Sequence, residues 1–197
     1  NWTDLDKVLK QAVEVKADVF SLFFLINVGR ARQQDKLNFS EYKTGLDKLY
    51  DVYRRYRSKI RFSSNVAFPP AILPDDLRQQ RFTTDCGSCN LKNHIKIRAN
   101  GDVAPCDALS NFSDMIVGNI HKTSIMEIVN KSKTLKDIRN FEADSLTGVC
   151  GLCKYKYTCK GGCRAFAYGA FGKLNAPNPI CQIFYENGCF PDNCLIK

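Results

Sequence analysis

The sequence predicts an α/β unit in its first third and, after it, a small α+β region held together by thiols. Three observations carry this prediction. Amphipathic helix patterns and apolar strand patterns alternate over residues 1–67. An Asn100-Gly101 pair sits between two short alternating runs, the strongest short-range signal for a tight hairpin. All ten cysteines fall at or beyond Cys86, so the core-building first part has none.

Taken in order, Thr3 and Asp6 have the spacing of a capping box. Leu5, Val8, Leu9, Ala12 and Val13 then share one helical face. Residues 19–26 (Val-Phe-Ser-Leu-Phe-Phe-Leu-Ile) are apolar almost without a break, the pattern of a strand buried on both faces in a parallel sheet. Gly29-Arg30-Ala31 is read as the turn at its end. A second helix is expected over 40–57, burying Tyr42, Leu46, Leu49, Tyr50, Tyr53 and Tyr56, and a second strand over 59–67. Helix–strand–helix–strand is the rhythm of βα units. Two such units cannot close a barrel, so this part is expected to be the tail end of a larger α/β domain.

Pro69, Pro70 and Pro74 break the rhythm, and the boundary between the two parts is placed after residue 80. Residues 95–98 and 102–104 form the arms of the hairpin, which returns Cys106 toward Cys86 and Cys89. Short helices are expected at 124–131, 134–142 and 164–171, the last leading to Cys181. There is no internal repeat and no low-complexity tract.

The chain opens Asn1-Trp2-Thr3 without Met, and is read as a fragment of a longer protein. No apolar run is long enough to span a bilayer, so no membrane partner is expected and the cytoplasm is the expected location. A net charge of +9 is spread too evenly to argue for nucleic acid.

The densest feature is Cys150-Gly-Leu-Cys153, five residues, then Cys159-Lys-Gly-Gly-Cys163: four thiols in fourteen residues. Thiolates are soft ligands that suit iron–sulfur clusters and zinc, and a two-residue gap lets neighbouring sulfurs face one metal. Gly161 and Gly162 let the backbone turn tightly between Cys159 and Cys163. With Cys86, Cys89, Cys106 and Cys181 there are eight thiols, enough for two sites of four; Cys189 and Cys194 are left over. Three readings stand at this point. A disulfide framework belongs to small, core-poor secreted domains. A zinc ribbon would pair Cys86/Cys89 with Cys150/Cys153, leaving four thiols unused. Iron–sulfur ligation uses all eight, and two four-iron clusters would bring the chain to about +5. His94 and His121 have no finger spacing and read as surface residues.

The order Cys89, eleven residues, Gly101, four residues, Cys106, a gap, Cys150-x2-Cys153-x5-Cys159-x3-Cys163, a gap, Cys181 resembles the seven-cysteine signature of the SPASM domain. That domain is the C-terminal extension of many radical S-adenosylmethionine enzymes. The resemblance covers residues 86–181. Residues 23–31 are similar to a strand-and-loop segment of the barrel in peptide- and protein-modifying maturases of this kind. The fold it implies is the last βα units of a partial TIM barrel over 1–80. A small α+β SPASM domain with a β-hairpin and short helices then occupies 81–197.

The resemblance implies two auxiliary [4Fe–4S] clusters with interleaved ligands. Cys89, Cys106 and Cys163, with Cys86, bind the first; Cys150, Cys153, Cys159 and Cys181 bind the second. Asp107, directly after Cys106, matches an aspartate proposed in sulfatase-maturing members to accept a proton as substrate is oxidised; the plainer reading is a surface carboxylate. The intact enzyme would use S-adenosylmethionine and a third [4Fe–4S] cluster to make a 5′-deoxyadenosyl radical. That radical would take hydrogen from a peptide or protein substrate, with a flavodoxin or ferredoxin as reductant. Thioether or carbon cross-linking is the first expectation, and Cys or Ser oxidation the second. Haem or quinone-cofactor synthesis is the alternative, and a non-enzymatic zinc-binding domain the competing class. The Cys-x3-Cys-x2-Cys that binds the radical-generating cluster is absent: Phe166 stands where Cys159-x3-Cys163 would need its third cysteine.

Overall fold

The computed structural model describes residues 2–26, 28–29, 31, 38–64, 68–78, 83–84 and 94–196. Its first part runs α1 (Leu5–Glu14), β1 (Val19–Leu22), α2 (Phe39–Tyr56), β2 (Arg61–Ser64), α3 (Asp75–Arg78) and β3 (Thr83–Thr84). The strands form one parallel sheet in the order β1-β2-β3, with Val19 opposite Arg61 and Ser63 opposite Thr83. This is the expected βα rhythm, with one further turn of it beyond the prolines.

Local chemistry explains where the elements start. The Thr3 capping box does not form: α1 is entered through a 3-10 turn, Trp2–Asp4, with Asp4 at the cap and no side-chain cap bond. Trp2 sets this entry instead, lying so close to Gly45 of α2 that a Cβ there would stand 2.7 Å from its Cδ2. The true capping box belongs to α2: Asn38 accepts from the Glu41 backbone N–H at 3.0 Å, and Glu41 accepts from that of Asn38 at 2.8 Å. From there Leu46, Leu49, Tyr50, Val52 and Tyr53 are buried, while Tyr42 and Tyr56 are only half-buried.

The strand expected over 19–26 is shorter and one-sided. β1 ends at Leu22; Phe23 is 75% and Leu25 55% exposed. Between them Phe24 packs edge-on against Phe68 at 5.1 Å, and Ile26 also joins the core. Among the described residues β1 pairs only with β2, so no neighbour covers its other side. The second strand, expected over 59–67, is Arg61–Ser64 within the described residues.

The second part is a small antiparallel sheet with helices packed around it. β4 (Lys96–Ile97), β5 (Asp102–Ala104) and β6 (Gly118–Asn119) lie in that order. The Asn119 side chain donates to Asn100 O and to Asp102 Oδ1, both at 3.0 Å, and so pins the hairpin from the third strand. α4 (Ile125–Lys131) and α5 (Lys133–Arg139) are capped by Ser124 and Ser132. Then come α6 (Gly148–Gly151), α7 (Lys156–Cys159), α8 (Arg164–Phe171) and α9 (Pro179–Glu186).

One hydrophobic core joins the two parts, mixing Leu9, Leu46, Leu49, Phe62 and Leu77 with Val149, Phe166, Ile180 and Phe184. Phe39 of α2 meets Phe184 of α9 edge-on at 5.2 Å. A smaller core of Leu109, Phe112, Met115, Ile138 and Ala165 lies under the hairpin side. No described helix is long and apolar enough to cross a membrane.

Candidate metal centre

Three short helices and a turn deliver four thiols to one place. Cys150 rides on α6, Cys153 on the turn after it, Cys159 ends α7, and Cys181 stands in the first turn of α9. All four line a single cleft, closed further by Pro69, Pro70, Val149, Tyr155 and Phe190. Asn178 makes the geometry of α9 possible. Its side chain accepts from the N–H groups of Ile180 and Cys181, at 3.0 and 3.4 Å, and Pro179 fills the first helical position. The Asn178 backbone N–H donates to Cys150 Sγ at 3.2 Å, and that of Tyr155 donates to Cys153 Sγ at 3.4 Å.

The electrostatics of this group call for a counter-charge. The Cys181 thiol, donating to Cys150, holds Cys150 below the ordinary thiol range against the opposing effect of burial; the Asn178 N–H and Arg164 add to it. Cys181 is pushed well above that range by Cys150 and by burial. Burial, with Cys150 and Cys153 alongside, takes Cys159 up to about 11, and burial also raises Cys153. Four thiols in a dry cleft cannot ionise together unaided. Metal binding removes that obstacle, because ligand thiols are deprotonated as they bind.

The residues present fit an iron–sulfur group: four sulfurs around one cleft, two of them accepting backbone N–H bonds of the kind that tune such clusters. Among the described residues no three His, Cys, Asp or Glu side chains are gathered tightly enough to share one metal ion. A four-iron cluster bound by four cysteines asks for a wider ring of thiolates than one ion does.

Cys163 parts from this group. It does not line the cleft; it stands at the N-cap position of α8 without a cap bond and packs against the main core and, like Cys106, Val28, Ala108, Tyr168 and Leu174, against the smaller one. Cys106 follows β5 and Pro105, and its sulfur accepts from Leu109 N–H at 3.4 Å. Cys86 and Cys89 lie outside the described residues, as do Asn27 and Arg30 of the barrel-like segment. Asp107 has a side chain 82% exposed and pairs with Lys96 Nζ at 2.8 Å. His94 and His121 are exposed. Cys194 is fully buried with its thiol toward Ala71 O at 3.8 Å, Cys189 is exposed, and neither lines the cleft. The C-terminal tail crosses the Cys150–Cys153 turn, with Lys154 N–H donating to Cys194 O and Ile196 N–H to Leu152 O.

Sequence reading missed two residues here. Asn178-Pro179 is a legible helix start. Arg164 had only one signal: a single charge on an otherwise apolar helix, Arg-Ala-Phe-Ala-Tyr-Gly-Ala-Phe. It is 3% exposed.

Comparison with known proteins agrees with this site. The SPASM family, an iron–sulfur cluster-binding domain, matches residues 77–154. The chain is 26% identical over 198 residues to an AdoMet-dependent heme synthase of Methanosarcina barkeri, covering 92% of this chain and 52% of that one. It is 27% identical over 165 residues to a cysteine-type anaerobic sulfatase-maturating enzyme of Clostridium novyi, covering 81% and 41%. In fold it is similar to Streptococcus suis SuiB bound to S-adenosylmethionine, with a TM-score of 0.53, 17% identity, and 92% of this chain matched to 42% of that one. The chain thus spans about half the length of the relatives it matches. Residues 77–154 match the SPASM domain, and the chain as a whole is similar to radical S-adenosylmethionine proteins that carry one.

Proposed function

We propose that this chain is the auxiliary-cluster part of a radical S-adenosylmethionine enzyme. Residues 1–80 are the end of the partial barrel with its linker, and 81–197 a SPASM domain holding two [4Fe–4S] clusters. Cys150, Cys153, Cys159 and Cys181 hold one; Cys86, Cys89, Cys106 and Cys163 hold the other. The observation that carries this reading is the single cleft lined by four thiols. The shared packing of Cys106 and Cys163 supports the second set.

When bound, the auxiliary clusters supply a one-electron acceptor or a hold on the substrate. S-adenosylmethionine, the third cluster and a flavodoxin or ferredoxin reductant belong to the intact enzyme. Its reaction is hydrogen abstraction from a peptide or protein, leading to a thioether or carbon cross-link or to oxidation of Cys or Ser. Asp107 is the proton acceptor in the oxidation variant. The sulfatase-maturating relative supports a protein substrate. A second reading, haem or quinone-cofactor synthesis, is favoured by the heme synthase match, which covers more of this chain (92% against 81%).

The test is compositional. Protein purified without oxygen should be brown, with about eight irons and eight sulfides per chain. A colourless protein with stoichiometric zinc would sink the reading. In the full-length protein, 5′-deoxyadenosine release that depends on an added peptide supports the first substrate class; release that depends on a porphyrin precursor supports the second.

A further inference from the structure

Lys156 is the one charged side chain among the described residues that line the thiol cleft. It opens α7, the helix that ends on Cys159, and its ammonium pairs with Asp144 Oδ1 at 2.9 Å. The Tyr157 hydroxyl donates to the same oxygen at 2.8 Å. The ammonium also lies over the Tyr157 ring, 4.9 Å from its centroid. These contacts tie α7 to the 3-10 turn Ala143–Ser145.

Burial sets this pair apart from an ordinary surface ion pair. The Lys156 side chain is 16% exposed. The other lysines in ion pairs among the described residues, Lys10, Lys43, Lys96, Lys131 and Lys133, are 43–87% exposed. Asp144 is itself 68% exposed, so the ammonium reaches the rim while the four-carbon stem lies along the cleft wall. Elsewhere in that wall Pro69, Ala71, Val149, Gly161 and Phe190 are buried, and Pro70, Tyr155 and Lys156 are half-buried. Of these three, Lys156 has the longest and freest side chain. It is held by an exposed contact of a kind that solvent competes with well.

Resting on the cluster reading above, we propose that Lys156 is the gate of the thiol cleft. Its stem closes the solvent side, and its tie to Asp144 and Tyr157 sets how often the site of Cys150, Cys153, Cys159 and Cys181 opens to iron. The role is exchange and not ligation, because an ammonium has three donors and no lone pair to offer a metal. A metal site needs an entry path, and here the swing of one side chain provides it.

The experiment is iron release from the chain loaded without oxygen, followed anaerobically with a coloured ferrous chelator at several concentrations. A Cys106→Ala background confines the readout to this site. Wild-type Lys156 should give one release rate at every chelator concentration, because opening limits it. Lys156→Ala removes both stem and tie. Its release should be about fivefold faster or more, the factor that loss of such a contact gives an opening equilibrium, and should rise with chelator concentration. Lys156→Met keeps a stem without the charge, and Asp144→Asn loosens the ammonium at the rim; both should fall between wild type and Lys156→Ala. The electron paramagnetic resonance signal of the reduced site should be the same in all four, since no thiol is changed. In a Cys181→Ala background, which leaves the other site to follow, Lys156→Ala should not alter release. An unmoved rate in Lys156→Ala, equal acceleration at both sites, or wild-type release that already rises with chelator concentration overturns the proposal. If neither Lys156 variant takes up iron, the residue builds the site instead of gating it, and the proposal falls. An iron-free wild-type chain would overturn the cluster reading along with it, whereas a fully loaded wild type with an unmoved Lys156→Ala rate overturns this inference alone.

Discussion

Cys163 is four residues from Cys159 yet, besides the main core, packs against the smaller core that Cys106 also packs against. The backbone makes this possible: Lys160, Gly161 and Gly162 all have positive φ, at 50°, 72° and 67°, a left-handed run that swings the chain away from the first cleft. Cys163→Ala should therefore damage the site shared with Cys106 and leave the Cys150/Cys153/Cys159/Cys181 site assembled. Cys181→Ala should do the reverse. Electron paramagnetic resonance of the reduced variants, each set beside Cys106→Ala, reads the contrast. If Cys163→Ala instead matches Cys153→Ala, the dense motif is one self-contained site. Asp107 is tested at the same scale. Its ion pair with Lys96 is exposed, so Asp107→Asn should cost at most about 1 kcal/mol of stability. A tenfold loss of turnover in the full-length protein would then be chemical, while unchanged turnover would leave Asp107 a surface carboxylate.

At the scale of elements, the caps separate what the sequence spells out from what packing decides. Asn38→Ala removes an observed cap bond from an 18-residue helix and should cost about 1 kcal/mol. Thr3→Ala removes only the cap that sequence spacing suggested, and should change the melting temperature little; an equal drop in both would restore the Thr3 box. Periodicity placed α2, α4 and α8 to within about a residue, because each has a continuous apolar face. The Asn100-Gly101 hairpin was equally legible. α6 and α7 were not, since helices of four residues carry no period and are held by their surroundings. The run 19–26 misled for a related reason: an unbroken apolar string hides an alternation that only appears when Phe24 turns inward and Phe23 outward. For the site, the cysteine spacings marked the four thiols that line the cleft, but nothing in them pointed to Arg164. Its guanidinium bonds carbonyls up to twelve residues away.

For the whole molecule, the shared core alters what metal loss should do. A chain read as βα units followed by a separate thiol-bound region predicts that the units stay folded when the metal leaves. The structure instead puts Cys150, Cys153 and Cys181 in the same core as Leu46, Leu49 and Leu77. Pro69 and Pro70, from the linker, form part of the thiol cleft. The second half is thus a wall of the first half's core, so metal binding should contribute to the folding of both. Chelation should then deprotect amides in α2 along with those of α6 and α9, and lower the melting transition as one event. Hydrogen exchange followed by mass spectrometry on loaded and iron-depleted protein checks this. Full protection retained through α1, β1, α2 and β2, with free exchange beyond residue 94, would mean that the core divides at the linker after all. The arm that distinguishes them is Leu49→Ala. Leu49 is fully buried, and its truncation should cost about 2–5 kcal/mol. In a shared core that loss also speeds iron release from the Cys150 set; in a divided one, iron release stays at the wild-type rate.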